Sequence, residues 1–120
     1  ILIDPPFEQP GEFDRMVQGL TAAARRFATG IYLLWYPIKH PREVARFKQS
    51  LVESGLKRLM AVEVFVTPFE EGAALTGTGL LVHNSPFGIR DELSKLLPQL
   101  TKTLSQDPGA SCEIEVLTDE

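Results

Sequence analysis

The first seven residues constrain the fold more than any other stretch of the chain. Residues 1–3 are Ile-Leu-Ile, an apolar run that is typical of a parallel strand buried on both faces. Residues 4–7 are Asp-Pro-Pro-Phe. Because proline has a fixed φ and no N–H, this segment predicts a stiff, extended turn at the carboxyl end of the strand. Ligands of open α/β sheets bind at that end, so the turn is a candidate ligand site.

The groups in this turn suit the amino group of a flat base. The Asp4 carboxylate and the Pro5 carbonyl are acceptors, whereas an exocyclic NH₂ offers two donors. The Phe7 ring can stack on the base. Two acceptors that draw on the amino protons would localise the nitrogen lone pair and let it attack a methyl donor. A structural interpretation fits these residues equally well, with Asp4 capping the next helix and the prolines ending a strand.

Length and composition narrow the class of protein. A chain of 120 residues is long enough for one domain with its own core, and 43% apolar and 23% charged residues are typical of soluble globular proteins. No apolar run reaches the ~18 residues that a membrane-spanning helix needs, and no secretory signal is present. The single Cys112 fits a reducing compartment, here the cytoplasm. His40 and His83 have no metal-ligand pattern around them, so we expect no metal site.

Charge is distributed unevenly along the chain. Residues 1–14 carry four acids and no base, residues 15–58 carry nine Lys/Arg against two Glu, and residues 59–120 carry three bases against ten acids. The basic block follows the Asp4 turn and could track phosphates. Two solvated helix faces would give the same pattern. The chain also begins without Met inside a predicted strand, which indicates the C-terminal part of a longer protein.

A strand-helix-strand unit is predicted over the first third of the chain. Residues 12–28 have apolar positions at helical spacing, and residues 31–36 form a short apolar run between Gly30 and Pro37. Such a unit makes the two strands parallel, so that their carboxyl ends lie side by side. We therefore expect Tyr36 at the rim of the Asp4 pocket and Trp35 in the core.

The remaining elements are predicted by the same local patterns. Lys39 and Arg42, near the start of a helix that ends at about Ser54, would extend the basic surface, together with Arg46 and Lys48. The later elements are a strand over 59–66, a loop over 67–79 whose Gly-Thr-Gly is a hairpin bend, a short antiparallel strand over 80–83, a helix over 89–104 kinked or split at Pro98, and an edge strand over 112–117. Glu63 inside a strand is either an edge-facing charge or a paired polar group.

Asn84, Ser85, Pro86 and Phe87 partly repeat the first turn. An amide before a proline and an aromatic residue usually forms a turn. These residues could also line the same cleft as Asp4.

Four segments together resemble one family. They are DPPF (4–7), RRFATGIYLLWYPI (25–38), GTGLLV (77–82) and NSPF (84–87). The chain is similar over its whole length to the RlmJ family, which are S-adenosylmethionine-dependent adenine-N6 methyltransferases of 23S ribosomal RNA. The first segment is shared by many amino-methyltransferases, and the combination is much more specific. The family typically has Tyr where this chain has Phe7, and often Pro where it has Ser85.

The resemblance implies an α/β fold, namely the second half of a class I (Rossmann-like) methyltransferase, with a mixed sheet and helices on both faces. Residues 1–120 would be the C-terminal part of a single methyltransferase domain. Asp4, Pro5 and Phe7 would be catalytic, with Asp4 also beside S-adenosylmethionine. The residues expected to contact the RNA are Phe7, Tyr36, Lys39, Arg42, Asn84 and Phe87.

Two other functions remain open at this point. A non-catalytic interaction module could retain half of a methyltransferase fold, and the Asp-Pro-Pro-aromatic segment also occurs in amino-methyltransferases that act on DNA or protein. The glycine-rich turn and the acidic residue that hold the cofactor in such folds would precede Ile1. We therefore expect the 120 residues alone not to methylate RNA. The target nucleotide and the oligomeric state do not follow from the sequence.

Overall fold

The computed structural model describes residues 1–5, 11–66, 77–104 and 109–119. This part of the chain forms five strands and three helices in an alternating order. They are β1 (Leu2–Ile3), α1 (Glu12–Arg26), β2 (Tyr32–Ile38), α2 (Pro41–Glu53), β3 (Leu59–Phe65), β4 (Gly77–His83), α3 (Ile89–Leu104) and β5 (Ser111–Thr118). No helix in the described ranges has the length and apolar character needed to cross a bilayer.

The strands form one mixed sheet in the order β1-β2-β4-β3-β5. Strands β1 and β2 are parallel, as predicted, and every other neighbouring pair is antiparallel. Ile3 lies opposite Leu34, so the chain leaves β1 beside Trp35. The predicted edge position of the last strand is confirmed, because β5 pairs with β3 at the end of the sheet.

Helices cover both faces of the sheet, as expected. The face under α1 and α2 carries the larger core, whose buried residues include Leu20, Leu34, Phe47 and Leu51. The face under α3 carries a second core around Met60, Val62, Val82 and Leu97. Alternating residues of each strand serve the two cores, since successive side chains of a strand point to opposite faces.

Helix α3 continues through Pro98, and the predicted split there does not occur. Pro98 is exposed, whereas Leu97 and Thr101 beside it are buried. A proline inside a helix is unfavourable by about 3 kcal/mol, mainly through the lost hydrogen bond and a local clash. Packing of both halves of α3 on the same sheet face offsets this, so the helix remains one element.

The Gly-Thr-Gly segment at residues 77–79 is the beginning of β4, so the predicted hairpin bend is wrong. Gly79 lies opposite Tyr36 in the sheet, and a Cβ at Gly79 would overlap the Tyr36 ring. A Cβ at Gly77 would collide with the Val64 carbonyl oxygen. These glycines therefore serve close approach within the sheet, a use of glycine in strands that local sequence does not distinguish from a turn.

Candidate active site at the carboxyl ends of the parallel strands

Asp4 lies where the sequence placed it, directly after β1 at one edge of the sheet. Because β1 and β2 are parallel, Lys39 and His40 leave the sheet at this same edge. We call it the carboxyl-end edge, defined by Asp4, Pro5, Lys39 and His40. Asp4, Lys39 and His40 are exposed, and Pro5 is half-buried. The edge therefore carries one exposed acidic and one exposed cationic side chain, Asp4 and Lys39.

The Asp4 side chain is available to a ligand. It is exposed, and no ion pair joins it to another residue in the described ranges. A carboxylate in this position accepts hydrogen bonds and donates none. Phe7 lies outside the described residues. The catalytic roles predicted for Asp4, Pro5 and Phe7 stay predictions.

Tyr36 is not at the rim of the site, which corrects the sequence-based expectation. Its side chain is 0% exposed and packs in edge contact against Phe13 and Phe47, with ring centroids 6.2 and 5.2 Å away. Trp35, predicted to lie in the core, is only partly buried. The strand alternation explains both errors, because it directs Tyr36 to the face covered by α1 and α2.

Tyr36 belongs to a buried polar network that the sequence analysis did not assemble. Its hydroxyl donates to Glu63 Oε2 at 2.9 Å. Lys48 Nζ donates to Glu63 Oε1 and to Glu115 Oε2, both at 2.9 Å. We call these four residues the Glu63 network. It links β2, β3, β5 and α2. Glu63 is therefore a paired polar group and not an edge-facing charge, the two alternatives that the sequence left open.

Lys48 consequently does not extend the basic surface, because its ammonium group is engaged by two carboxylates. The side chain of Lys48 is 18% exposed, and that of Glu63 is 4% exposed. Arg42 and Arg46 are exposed. The one feature that could have revealed the network is a single acidic residue inside an otherwise apolar strand, since a buried carboxylate needs a partner.

The network shifts the pKa values of two of its members. Burial raises the pKa of the Tyr36 hydroxyl above its ordinary value of 10.0, and the adjacent Glu63 charge and hydrogen bond raise it further. The phenol therefore stays protonated at pH values well above 10. For Lys48, burial lowers the pKa. The hydrogen bonds to Glu115 and Glu63 outweigh burial, and the pKa of Lys48 lies above its ordinary value.

We expect the folded protein to lose stability above pH 10. An unfolded chain releases the Tyr36 proton near pH 10, whereas the folded chain retains it, so the contribution is complete below pH 10 and is lost as the pH rises beyond it. Lys48 acts in the same direction. The loss attributable to Tyr36 is about 1.4 kcal/mol per pH unit. Urea unfolding at pH 9, 10 and 11 measures it, and Tyr36→Phe should flatten the slope. An equally steep slope in that variant would contradict the assignment.

Asn84 lies at the opposite edge of the sheet from Asp4, so its predicted place in the same cleft is wrong. Strand β4 is antiparallel to β2, and His83 at its end pairs with Tyr32 at the start of β2. Asn84 Nδ2 donates to the Ala28 and Gly30 carbonyl oxygens at 2.9 and 2.8 Å. Asn84 therefore fixes the turn between α1 and β2. We call this side of the sheet the amino-end edge.

Phe87 lies on the amino-end edge as well, three residues after Asn84 and just before α3. It is fully exposed. Phe87 therefore does not line the same cleft as Asp4, for the same reason, which is the reversed direction of β4. Its predicted contact with RNA stays a prediction.

Replacement of Asn84 by Ala is expected to destabilise the fold by about 3 kcal/mol, of which about 1 kcal/mol is backbone strain. The change removes two hydrogen bonds of about 1 kcal/mol each, and the backbone at Asn84 has φ +58°, a conformation that Asn tolerates better than Ala. Asn84→Gly is the matched control, because glycine accepts this φ and isolates the hydrogen-bond loss. Chemical denaturation measures both variants. A loss below about 0.5 kcal/mol in both would mean that the side chain does not hold the turn.

The architecture and the exposed acid together define a class of protein. A parallel β1-α1-β2 unit continues into an antiparallel pair in a mixed α/β sheet, and an Asp-Pro segment follows β1. This is the α/β arrangement of the second half of a class I methyltransferase fold. A crystal structure of a Legionella pneumophila protein superimposes on 97% of the chain with a TM-score of 0.85 and 28% sequence identity, and the matched region is 42% of that protein.

The chain belongs to the RlmJ family. The family model described as "Ribosomal RNA large subunit methyltransferase D, RlmJ" matches residues 1–116. Two relatives are named "Ribosomal RNA large subunit methyltransferase J". The Haemophilus influenzae protein is 32% identical over 120 residues, and the Escherichia coli K12 protein is 34% identical over 104 residues. The alignments cover 100% and 87% of this chain, and they span 43% and 37% of the relatives' lengths.

Proposed function

We propose that a protein carrying this chain methylates N6 of an adenine in 23S ribosomal RNA with S-adenosylmethionine as the donor. The observation that carries the proposal is the exposed carboxylate of Asp4 at the carboxyl end of a parallel strand, in a member of the RlmJ family. The relatives, whose names describe ribosomal RNA methyltransferases, support the substrate class. Residues 1–120 would be the C-terminal part of the catalytic domain, and the activity would be cytoplasmic.

The residues at the carboxyl-end edge fit such a donor and acceptor. S-adenosylmethionine supplies an electrophilic methyl group. Asp4 is exposed, acidic and without an ion-pair partner in the described ranges, so it can face an amino group beside that donor. In the proposed arrangement this chain provides the acceptor side of the site, and the preceding part of the protein holds the rest of the cofactor.

Each residue of the turn has a separate task in this proposal. The target adenine leaves its stack, which requires a few kcal/mol. Asp4 and the Pro5 carbonyl accept hydrogen bonds from the N6 amino group, orienting its lone pair. Phe7 stacks on the purine. Positioning of N6 in line with the donor methyl group would supply much of the rate, and the transfer would release S-adenosylhomocysteine and one N6 proton.

Cations beside this turn would hold the RNA backbone. Lys39 and Arg42 are both exposed, and Lys39 lies at the edge that also carries Asp4. Arg42 is the second residue of α2, which begins at Pro41. Each can neutralise a phosphate, so their contribution should weaken with salt.

Phe7→Ala is expected to raise KM for the RNA by about tenfold and to lower kcat less. The reason is that base stacking contributes roughly 1–3 kcal/mol and holds the extruded adenine before the reaction. Steady-state methylation kinetics of the complete enzyme measure both constants. Phe7→Tyr is the control, since it keeps the ring. Unchanged kinetics in Phe7→Ala would assign the residue a structural role.

The proposal is tested with the complete enzyme on unmodified 23S ribosomal RNA. Incubation with S-adenosylmethionine carrying a tritiated methyl group, followed by nucleoside mass spectrometry, should yield N6-methyladenosine. Methylation of DNA or protein, but not of the RNA, would overturn the substrate assignment. Absence of S-adenosylmethionine binding in calorimetry would instead indicate a non-catalytic module. The 120 residues alone are expected to give no turnover.

A further inference from the structure

A separate cleft of about 560 Å³ lies at the amino-end edge, away from Asp4. Among the residues that line it are Arg58, Pro86, Phe87, Arg90, Thr118 and Asp119, and we call it the α3 cleft. Asp4 is level with Trp35 in the sheet and Asn84 is level with Ile31, as the neighbouring pairs indicate. Four residues of strand correspond to about 13 Å, so one nucleotide cannot occupy both places.

Phe87 presents its aromatic ring entirely to solvent. Its relative exposure is 107%, the highest among the exposed large apolar residues. It follows Pro86 and precedes Gly88, whose φ of +82° turns the chain into α3. A large aromatic side chain at such a position gains nothing from burial in the fold. It is available as a stacking surface, because every base has a π-face.

Two arginines in the α3 cleft also lie at positions where other residue types would stabilise the fold more. Arg58 has φ +58°, which favours Gly or Asn. Arg90 is the second residue of α3, where the helix dipole favours an acidic side chain. Residues that reduce the stability of the fold at their own positions are expected mainly at functional sites. Here three of them, counting Phe87, meet in one cleft.

The backbone around Arg58 is held by main-chain hydrogen bonds from two directions. Arg58 N donates to the Asp119 carbonyl oxygen at 3.2 Å, and Asn84 N donates to the Arg58 carbonyl oxygen at 3.1 Å. Among the described residues that line the cleft, the charged side chains are those of the two arginines and of Asp119. An exposed aromatic ring beside cationic side chains fits single-stranded nucleic acid better than it fits an apolar protein segment.

We propose that the α3 cleft binds a single-stranded segment of the RNA substrate that flanks the target adenine. Phe87 stacks on one base, and Arg58 and Arg90 neutralise neighbouring phosphates. This inference rests on the proposed function for the identity of the RNA. It adds a second contact region at the far edge of the sheet.

The test measures binding of a fluorescein-labelled decamer of oligouridylate to the complete enzyme by anisotropy. Oligouridylate contains no adenine and should not occupy the proposed adenine site at Asp4. Its binding therefore measures the α3 cleft separately. Phe87→Ala should raise Kd about fivefold to tenfold, the lower part of the range for base stacking. The double variant Arg58→Asn, Arg90→Gln should reduce the slope of log K against log salt by about 1.4, which corresponds to two phosphate contacts on a single strand.

Matched controls separate the cleft from general effects. Lys95→Gln removes the same charge from α3, and Leu96→Ala removes another exposed apolar side chain; neither residue lines the cleft. Both should leave Kd and the salt slope unchanged. Asn was chosen at position 58 because it tolerates positive φ, and Phe87→Ala should retain its thermal unfolding temperature because the ring is exposed.

Outcomes for the cleft and for the proposed function are distinguishable. Unchanged oligouridylate binding in both cleft variants would overturn this inference, even if adenine methylation proceeds, and would leave the surface for a protein contact. Equal losses in the Lys95 and Leu96 controls would overturn it as well. Weakened binding in the cleft variants alone would support the cleft, and failure of wild-type methylation would then count only against the proposed reaction.

Discussion

Replacing Asp4 with Asn in the complete enzyme is expected to lower kcat for RNA methylation by roughly 10²- to 10³-fold, the range for loss of one preorganised hydrogen-bonding group in an active site. The exposed Asp4 carboxylate offers two acceptor oxygens and a negative charge to the adenine amino group, whereas an Asn amide keeps one acceptor oxygen, replaces the other with a donor and is neutral. The loss should therefore fall on the reacting nitrogen. RNA affinity, which depends on phosphate contacts and stacking, should remain within about twofold.

Single-turnover methylation and RNA binding by anisotropy measure the two quantities separately. Asp14→Asn is the matched control, because Asp14 is also exposed and acidic but belongs to the first turn of α1. Its effect on kcat should be less than threefold. A near-normal kcat in Asp4→Asn would remove Asp4 from the reaction. Since Asp4 is exposed, an unfolded Asp4→Asn variant would instead reveal a structural role.

Replacing Lys48 with Met is expected to destabilise the protein by about 3 kcal/mol. The change removes the ammonium group between Glu63 and Glu115, and Glu63, only 3% exposed, keeps just its hydrogen bond from Tyr36. Removal of one partner from a buried ion pair is unfavourable by about 3–5 kcal/mol. We place Lys48 at the lower end, because its side chain is 18% exposed and solvent screens part of the interaction.

Urea unfolding of the complete protein measures this loss, with the exposed Lys39→Met as control. The triple variant Tyr36→Phe, Lys48→Met, Glu63→Leu should recover most of the stability, since it leaves no buried polar atom of these three side chains unpaired. A loss below about 1 kcal/mol in Lys48→Met would mean that Glu63 is satisfied without it. If the triple variant were as unstable as Lys48→Met, packing rather than charge would be responsible.

Local sequence patterns predicted the elements and the position of Asp4. The apolar run of residues 31–36 between Gly30 and Pro37 is too short for a helix and predicts a buried strand, and the Asp-Pro-Pro segment predicts the end of a strand. The helices were predicted to within a few residues for the same reason, as was the edge strand β5. These features depend on residues that are only a few positions apart in the chain, so they can be recognised in the sequence alone.

The sequence by itself determined the β1-α1-β2 unit and an acidic corner at a strand end, and its resemblance to a family implied the mixed sheet with helices on both faces. Only the tertiary structure decided which residues of β2 point to the face covered by α1 and α2, because a shift of one residue exchanges Trp35 with Tyr36. It also decided the direction of β4, and hence that Asn84 and Phe87 lie at the edge opposite Asp4. The packing of Gly79 under Tyr36 and the pairing of Glu63 with Lys48 join residues far apart in the chain, so no local pattern could reveal them.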